Sequence, residues 1–192
     1  MFRLCDAEYV NEAMPDYAGF VFYEKSHRFV DERRAAKLRS KIAQSIHTVG
    51  VFVDHDPHYI KTLYENGIIS VVQLHGTESE AYIAKLRAML PGVQIWKAFK
   101  VRSEADIAAA QSCDADCILL DNGYGTGQCF DWSLISDVKR PMILAGGLNA
   151  ENIAEAIDRF HPFAVDISSG VETDKVKDKS KILAAVAAVR GK

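Results

Sequence analysis

Short apolar runs alternate with amphipathic stretches along the whole chain. Runs rich in aliphatic, β-branched and aromatic residues at 17–23, 48–53, 70–74, 94–99, 117–120, 142–145 and 163–167 predict seven buried strands. Helical spacing fills the gaps. Ala7, Val10, Ala13 and Met14 mark a first helix over 5–14, ended by Pro15-Asp16, and a second amphipathic helix runs over about 31–42. Pro57 opens a third that closes at Asn66-Gly67, with the glycine placed for a C′ cap. Tyr82, Leu86, Met89 and Leu90 form the apolar face of a fourth, stopped by Pro91-Gly92, and Ser103 with Asp106 makes a capping-box start for a fifth. A short helix is predicted near 132–138. Asn149 supplies an N-cap oxygen for a helix over 149–160, with Ile153, Ala156 and Ile157 on one face. Ile182, Leu183, Val186 and Val189 mark the last helix.

Seven strands and eight helices in strict alternation, with no turn-linked strand pair, predict a parallel α/β sheet. A closed (β/α)8 TIM barrel has eight strands, so the expectation is a TIM barrel missing its first β-strand, as a single domain over 1–192. The alternative is an open doubly wound sheet, which lacks the support of a Gly-x-Gly-x-x-Gly after the first strand.

Composition narrows the partners. At 192 residues, with 48% apolar and 26% charged residues, the chain is an ordinary globule with one sizeable core, and its net charge of −3 offers no basic field for nucleic acid. No long apolar span or signal peptide is present, so no membrane partner and a cytoplasmic location are expected. Cys5, Cys113, Cys117 and Cys129 show neither a disulfide framework nor paired Cys-x-x-Cys spacing. His55 and His58 straddle Pro57 with no distant matching pair, and no metal site is expected.

The parallel reading gathers one set of residues at the C-terminal strand ends: Glu24 to Arg28, Asp54, Gln73 to Gly76, Lys100, Asp121, Gly146-Gly147, and Ser168-Ser169-Gly170. The last two groups are donor-rich, side-chain-poor turns on adjacent strands. In barrels of this kind the loops after the last two strands commonly form a phosphate site, so Gly146, Gly147, Ser168, Ser169 and Gly170 are the phosphate-binding candidates.

Seven motifs in register carry a family resemblance. Phe20-Val-Phe-Tyr-Glu-Lys-Ser-His-Arg28, Val49-Gly-Val-Phe-Val53, Val72-Gln-Leu-His-Gly76, Leu119-Leu-Asp121, Gly125-Thr-Gly127 followed by Phe130-Asp-Trp132, Leu144-Ala-Gly-Gly-Leu148 and Val165-Asp-Ile-Ser-Ser-Gly-Val-Glu172 together resemble phosphoribosylanthranilate isomerase of tryptophan biosynthesis. The resemblance implies a cofactor-free Amadori rearrangement of a small phosphorylated substrate by a monomer or homodimer. It implies Asp121 as the general acid, Arg28 on the anthranilate carboxylate, and Gln73 and His75 lining the substrate region. A planar guanidinium suits a carboxylate.

One departure stands out. Family members begin with a strand of the type Lys-Ile-Cys-Gly whose cysteine is the general base, and this sequence starts just after it. Cys5 lies in the stretch opening the first helix, Cys113 and Cys117 lie before and at the start of a strand, and Cys129 follows the glycine loop, so none replaces it by position. The 192 residues as written are therefore expected to be inactive, with a catalytically silent phosphate-binding barrel as the alternative. Indole-glycerol-phosphate synthase is a third reading. It would call for catalytic lysines at strand ends, where Lys100 is the only obvious candidate.

Overall fold

The computed structural model describes residues 1–121, 132–135 and 138–191. They divide into two compact units, Met1–Trp96 and Lys97–Lys192.

The first unit runs α1 (Leu4–Ala13), β1 (Tyr17–Val21), α2 (Glu32–Arg39), β2 (His47–Phe52), α3 (Pro57–Glu65), β3 (Val71–Leu74), α4 (Glu80–Met89) and the start of β4 (Gln94–Lys100), the strand that crosses the boundary. Its strands lie in chain order, and the registers are parallel: Tyr17 beside His47 through Val21 beside Val51, then Val49 beside Val71 through Phe52 beside Leu74. Helix starts are written in the sequence. Asp31, Asp56 and Ser79 each accept a hydrogen bond from a first-turn backbone N–H of α2, α3 and α4, and Pro57 occupies the first turn of α3, where no N–H is needed. At α1 the job falls to Asp6, fully buried, whose carboxylate takes the N–H groups of Phe2 and Arg3 and the Arg3 guanidinium. Phe20, Leu38, Phe52, Ile60, Leu63 and Leu74 are fully buried, each gaining about 1.5–3 kcal/mol from the burial.

The second unit holds the rest of β4, then α5 (Glu104–Ser112), β5 (Cys117–Asp121), β6 (Met142–Leu144), α6 (Ile153–Phe160), β7 (Ala164–Val165), β8 (Glu172–Thr173), β9 (Val176–Lys177) and α7 (Lys179–Val189). The order β4-β5-β6-β7 again follows the chain, with Ile118 beside Met142 and Ile143 beside Ala164 in parallel register. Val101, Ile107, Ala110, Ile118, Leu120 and Met142 form a buried cluster, packed against Phe99, Leu134, Ile135, Val138 and Phe160. The Arg140 guanidinium closes α5 by donating to the carbonyls of Ala110, Gln111, Cys113 and Ala115. Among the described residues seven strands lie in chain order in one sheet, most neighbours joined through an α-helix, which is the topology of a (β/α)8 barrel.

Five expectations change. The helix predicted at 132–138 is, among the described residues, a single 3-10 turn at Trp132–Leu134, leaving seven α-helices. A turn-linked pair does exist: β8 and β9 are antiparallel, and Asp174 and Lys175 between them have φ of 50° and 64°. Two central residues at positive φ give the twist a two-residue hairpin needs, usually announced by Asn-Gly. Asn149 caps a turn rather than the helix; its Oδ1 accepts from Glu151 N at 2.8 Å, and α6 begins at Ile153. The run at 163–167 is not buried: Phe163 is 51% exposed, Ala164 and Val165 are half-buried, and among the described residues β7 pairs with β6 alone. Two helix faces also shift by a residue. Met14 is an exposed C-cap at φ 52°, and α4 buries Ile83 with Leu86 while Tyr82 stands half-exposed, donating its hydroxyl to the His55 carbonyl at 2.6 Å.

Candidate active site

Each unit presents its own set of strand ends. In the first, the chain leaves β1 through a tight loop in which Ser26 Oγ accepts from Arg28 N at 3.1 Å and Val30 N returns to the Val21 carbonyl at 2.9 Å. Arg28 is thereby held, half-buried, just beyond the strand end. Gln73 is buried within β3, and its Nε2 lies 3.2 Å from His75 Nδ1, one residue past the strand. The His75 backbone N–H still bonds the Phe52 carbonyl at 2.8 Å, so the β2–β3 ladder carries on into the loops. Arg28, Gln73 and His75 thus share the C-terminal side of β1 and β3.

A buried carboxylate fastens those loops. Glu78 accepts from Asp54 N at 2.8 Å through Oε1 and from Gly76 N at 2.9 Å through Oε2. Asp54 sits in the left-handed region at φ 49°, and its Oδ1 takes the Thr77 N–H and hydroxyl. The approach is so close that a Cβ on Gly76 would lie 2.5 Å from Asp54 Oδ1 and 2.7 Å from Asp54 N. Sequence reading had no signal for Glu78, an acidic residue in a polar loop.

In the second unit Asp121 is the last residue of β5 and half-buried after four buried residues. Its carbonyl accepts from Val101 N at 2.9 Å, which ties the end of β5 to the end of β4. Lys100 is exposed. The buried lysine of β4 is Lys97, whose ammonium lies 5.8 Å from the Phe99 ring centroid. The glycine-rich stretch that follows Asp121 lies outside the described residues, as does Cys129.

The two small-residue turns come together. Gly146 and Gly147 have φ of 83° and 71°, conformations a side chain would strain. Asn152 pins their exit, donating to the Gly147 carbonyl at 3.1 Å and accepting from Asn149 N at 2.9 Å. Ser168 leads into a 3-10 turn over Ser169–Val171, and Gly170 touches the first turn directly, since a Cβ there would fall 1.9 Å from the Leu148 carbonyl oxygen. Gly170 therefore lies against Leu148, the residue that follows Gly147. Behind the second turn, Lys177 donates to the Ser168 carbonyl at 2.7 Å and pairs with Glu172 at 2.9 Å.

Residues 3–188 match the sequence profile of the family described as N-(5'phosphoribosyl)anthranilate (PRA) isomerase. The chain belongs to this family. An N-(5'-phosphoribosyl)anthranilate isomerase of Clostridium acetobutylicum is 42% identical over 194 residues, covering 96% of this chain and 92% of its own. Among solved structures, the phosphoribosyl anthranilate isomerase of Thermotoga maritima superposes with a TM-score of 0.88 at 36% identity, over 100% of this chain and 96% of its own. A phosphoribosyl anthranilate isomerase in complex with reduced 1-(o-carboxyphenylamino)-1-deoxyribulose 5-phosphate gives 0.86 at 35% identity, over 100% and 95%.

The described cysteines have no place at a C-terminal strand end. Cys5 is in the first turn of α1, Cys113 follows α5, and Cys117 is the first residue of β5. Burial pushes the Cys117 thiol up to about 12, and its Sγ donates to the Pro141 carbonyl at 3.1 Å, so it is an inert packing group. Among the described residues no group of three or more His, Cys, Asp or Glu side chains is gathered as a metal ion would need, and no helix is long and apolar enough to cross a membrane.

Proposed function

We propose that the protein is a cytoplasmic isomerase of tryptophan biosynthesis, acting on N-(5-phosphoribosyl)anthranilate. The product is 1-(2-carboxyphenylamino)-1-deoxyribulose 5-phosphate. The observation that carries the reading is the family match over residues 3–188, together with Arg28, Gln73, His75, Asp121 and the turns Gly146-Gly147 and Ser168-Ser169-Gly170 in the last residues of strands or the loops that follow them.

The rearrangement needs an acid and a base. A general acid protonates the ribose ring oxygen as the C1′–O bond breaks, and the anilino nitrogen lone pair moves in to give an open-chain iminium. A base then takes the C2′ proton, the C–H electrons neutralise the iminium as an enolamine, and tautomerisation delivers the ketose. Asp121 is assigned the acid. The Arg28 guanidinium binds the anthranilate carboxylate, and Gln73 with His75 lines the sugar. The turns after β6 and β7 take the 5′-phosphate through backbone N–H groups and serine hydroxyls. Remote binding of that phosphate fixes the reacting carbons against the acid and base.

The base is the incomplete part. By resemblance it is the thiol of a Lys-Ile-Cys-Gly strand, and neither Cys5, Cys113 nor Cys117 stands where that thiol belongs. An N-terminally extended chain that carries such a strand is therefore the form in which this assignment is tested. The test is incubation of the extended chain with phosphoribosylanthranilate and identification of the product. Unchanged substrate, with inorganic phosphate still bound, would point instead to a catalytically silent phosphate-binding barrel.

A further inference from the structure

Lys177 is a charged side chain only 8% exposed, and its partner Glu172 is 6% exposed. A buried ion pair is often no more stabilising than two apolar side chains of the same volume, because both charges give up their hydration. Stability alone does not account for it. The pair sits directly across the hairpin, with Glu172 of β8 in register with Lys177 of β9. Its surroundings are fixed from the α7 side: Lys181 Nζ donates to the Glu172 carbonyl at 2.7 Å, Asp178 N to the Val171 carbonyl at 2.9 Å, and Thr173 Oγ1 to Asp178 Oδ2 at 2.9 Å.

What this anchored ammonium does is hold one carbonyl. Lys177 Nζ donates to Ser168 O at 2.7 Å. The peptide joining Ser168 to Ser169 is trans and planar, so its C=O and N–H point in opposite directions. Holding the Ser168 carbonyl on Lys177 therefore turns the Ser169 N–H away from the hairpin. Gly170 of the same turn lies so close to Leu148 that a Cβ there would fall 1.9 Å from the Leu148 carbonyl oxygen.

We infer that Lys177 is a positioning residue for substrate phosphate: it sets the direction of the Ser169 N–H donor from behind, without touching the ligand, and Glu172 neutralises it so that it stays in place. The inference rests on the reading of Ser168, Ser169 and Gly170 as a phosphate turn. A lysine already engaged with a carboxylate and a carbonyl serves as a fixed support for a backbone donor. The carboxylate also keeps the local field from depending on a bare buried charge.

The experiment titrates inorganic phosphate into the full chain while following backbone amide resonances, for the wild type, Gly170→Ala, Lys177→Arg and the double variant Lys177→Met with Glu172→Leu. Thermal melts of each run alongside. Wild type is expected to bind with the Ser169 amide shifting, and Gly170→Ala to lose binding. The double variant removes both charges together and leaves neither orphaned, so it is expected to melt close to wild type yet bind phosphate at least tenfold more weakly, with no Ser169 shift. Lys177→Arg, which can donate to the same carbonyl and carboxylate, is expected to stay within threefold of wild type. Wild-type affinity in the double variant overturns this inference alone. No phosphate binding by wild type overturns the phosphate reading and the inference with it. Should the double variant fail to fold, Lys177→Arg decides: tenfold weaker binding by a folded Lys177→Arg overturns the inference.

Discussion

Gly170 lies against the backbone of Leu148 so tightly that a Cβ on it would fall 1.9 Å from the Leu148 carbonyl oxygen. That contact joins the turn after β7 to the turn after β6, and it exists only because position 170 has no side chain. Backbone cannot swing aside as the end of a flexible side chain can. Gly170→Ala is expected to push the turns apart, costing about 1–3 kcal/mol of stability in the overpacking range, and to raise KM for the phosphorylated substrate far more than it lowers kcat. Denaturant melts and steady-state kinetics on the extended chain check both parts. An unchanged KM would separate this contact from phosphate binding.

Glu78 is expected to matter for a residue with no place in the chemistry. It accepts from the N–H groups of Asp54 and Gly76 while 8% exposed, so Glu78→Ala leaves two backbone donors short of a partner. Each loss costs about 1–3 kcal/mol when the donor is buried, and Asp54 is exposed enough for water to replace part of it. The expected total is about 2 kcal/mol. Glu78→Gln keeps an acceptor oxygen for one of the donors and should lose less. Equal melting temperatures for Glu78→Ala and wild type would mean that the loops after β2 and β3 do not depend on this carboxylate.

Most strands were legible because they are short apolar runs, with β3, β5 and β6 almost wholly buried. The run at 163–167 reads like the others, but the strand is confined to Ala164–Val165, and both residues are half-buried. Cys117 to Asp121 was read to within one residue, since four apolar residues and an abrupt aspartate leave little choice. The β8–β9 hairpin was hidden because its turn uses Asp174-Lys175, whose φ of 50° and 64° no glycine or asparagine announces. Glu78, Lys177 and Glu172 were missed for a related reason. A charged residue between polar neighbours looks solvated until the fold supplies the carbonyl or N–H that it buries against. Strand order alone suggested pairing Gly146-Gly147 with Ser168-Ser169-Gly170, while the contact of Gly170 with Leu148 had no signal, since periodicity marks Leu148 only as apolar.

The helix caps set an acid limb. Backbone N–H of Arg102, helped by the Ser103 hydroxyl, holds the Asp106 carboxyl below its ordinary value, and Lys181 N with the Thr173 hydroxyl does the same for Asp178. Between the folded and the unfolded value the unfolded chain binds more protons, so stability rises with pH in that window. The contribution is complete above the ordinary carboxyl value and is lost as pH falls through the depressed one. Both groups are exposed, so the effect is small. Melting temperatures between pH 2 and pH 6 should fall less steeply on acidification in the double variant Asp106→Asn with Asp178→Asn. A slope identical to wild type would remove these caps from the acid limb.

Asp121→Asn keeps the shape of a side chain at the end of β5 but has no acidic proton to give. In the extended chain kcat is expected to fall by about 10²–10⁴-fold, the usual scale for a general acid, with KM little changed. A matching loss in KM alone would make Asp121 a binding group.

Disappearance of phosphoribosylanthranilate fluorescence measures the central claim most directly, with three proteins side by side: the 192-residue chain, the same chain extended at its N-terminus by a Lys-Ile-Cys-Gly strand, and that extended chain with its cysteine changed to serine. Rapid decay is expected for the extended chain with its thiol and not for its serine variant. No decay from the thiol form would contradict the isomerase assignment. Decay at the same rate from the 192-residue chain would contradict the thiol as base, and His75, 3.2 Å from the Gln73 amide, would be the first side chain to replace.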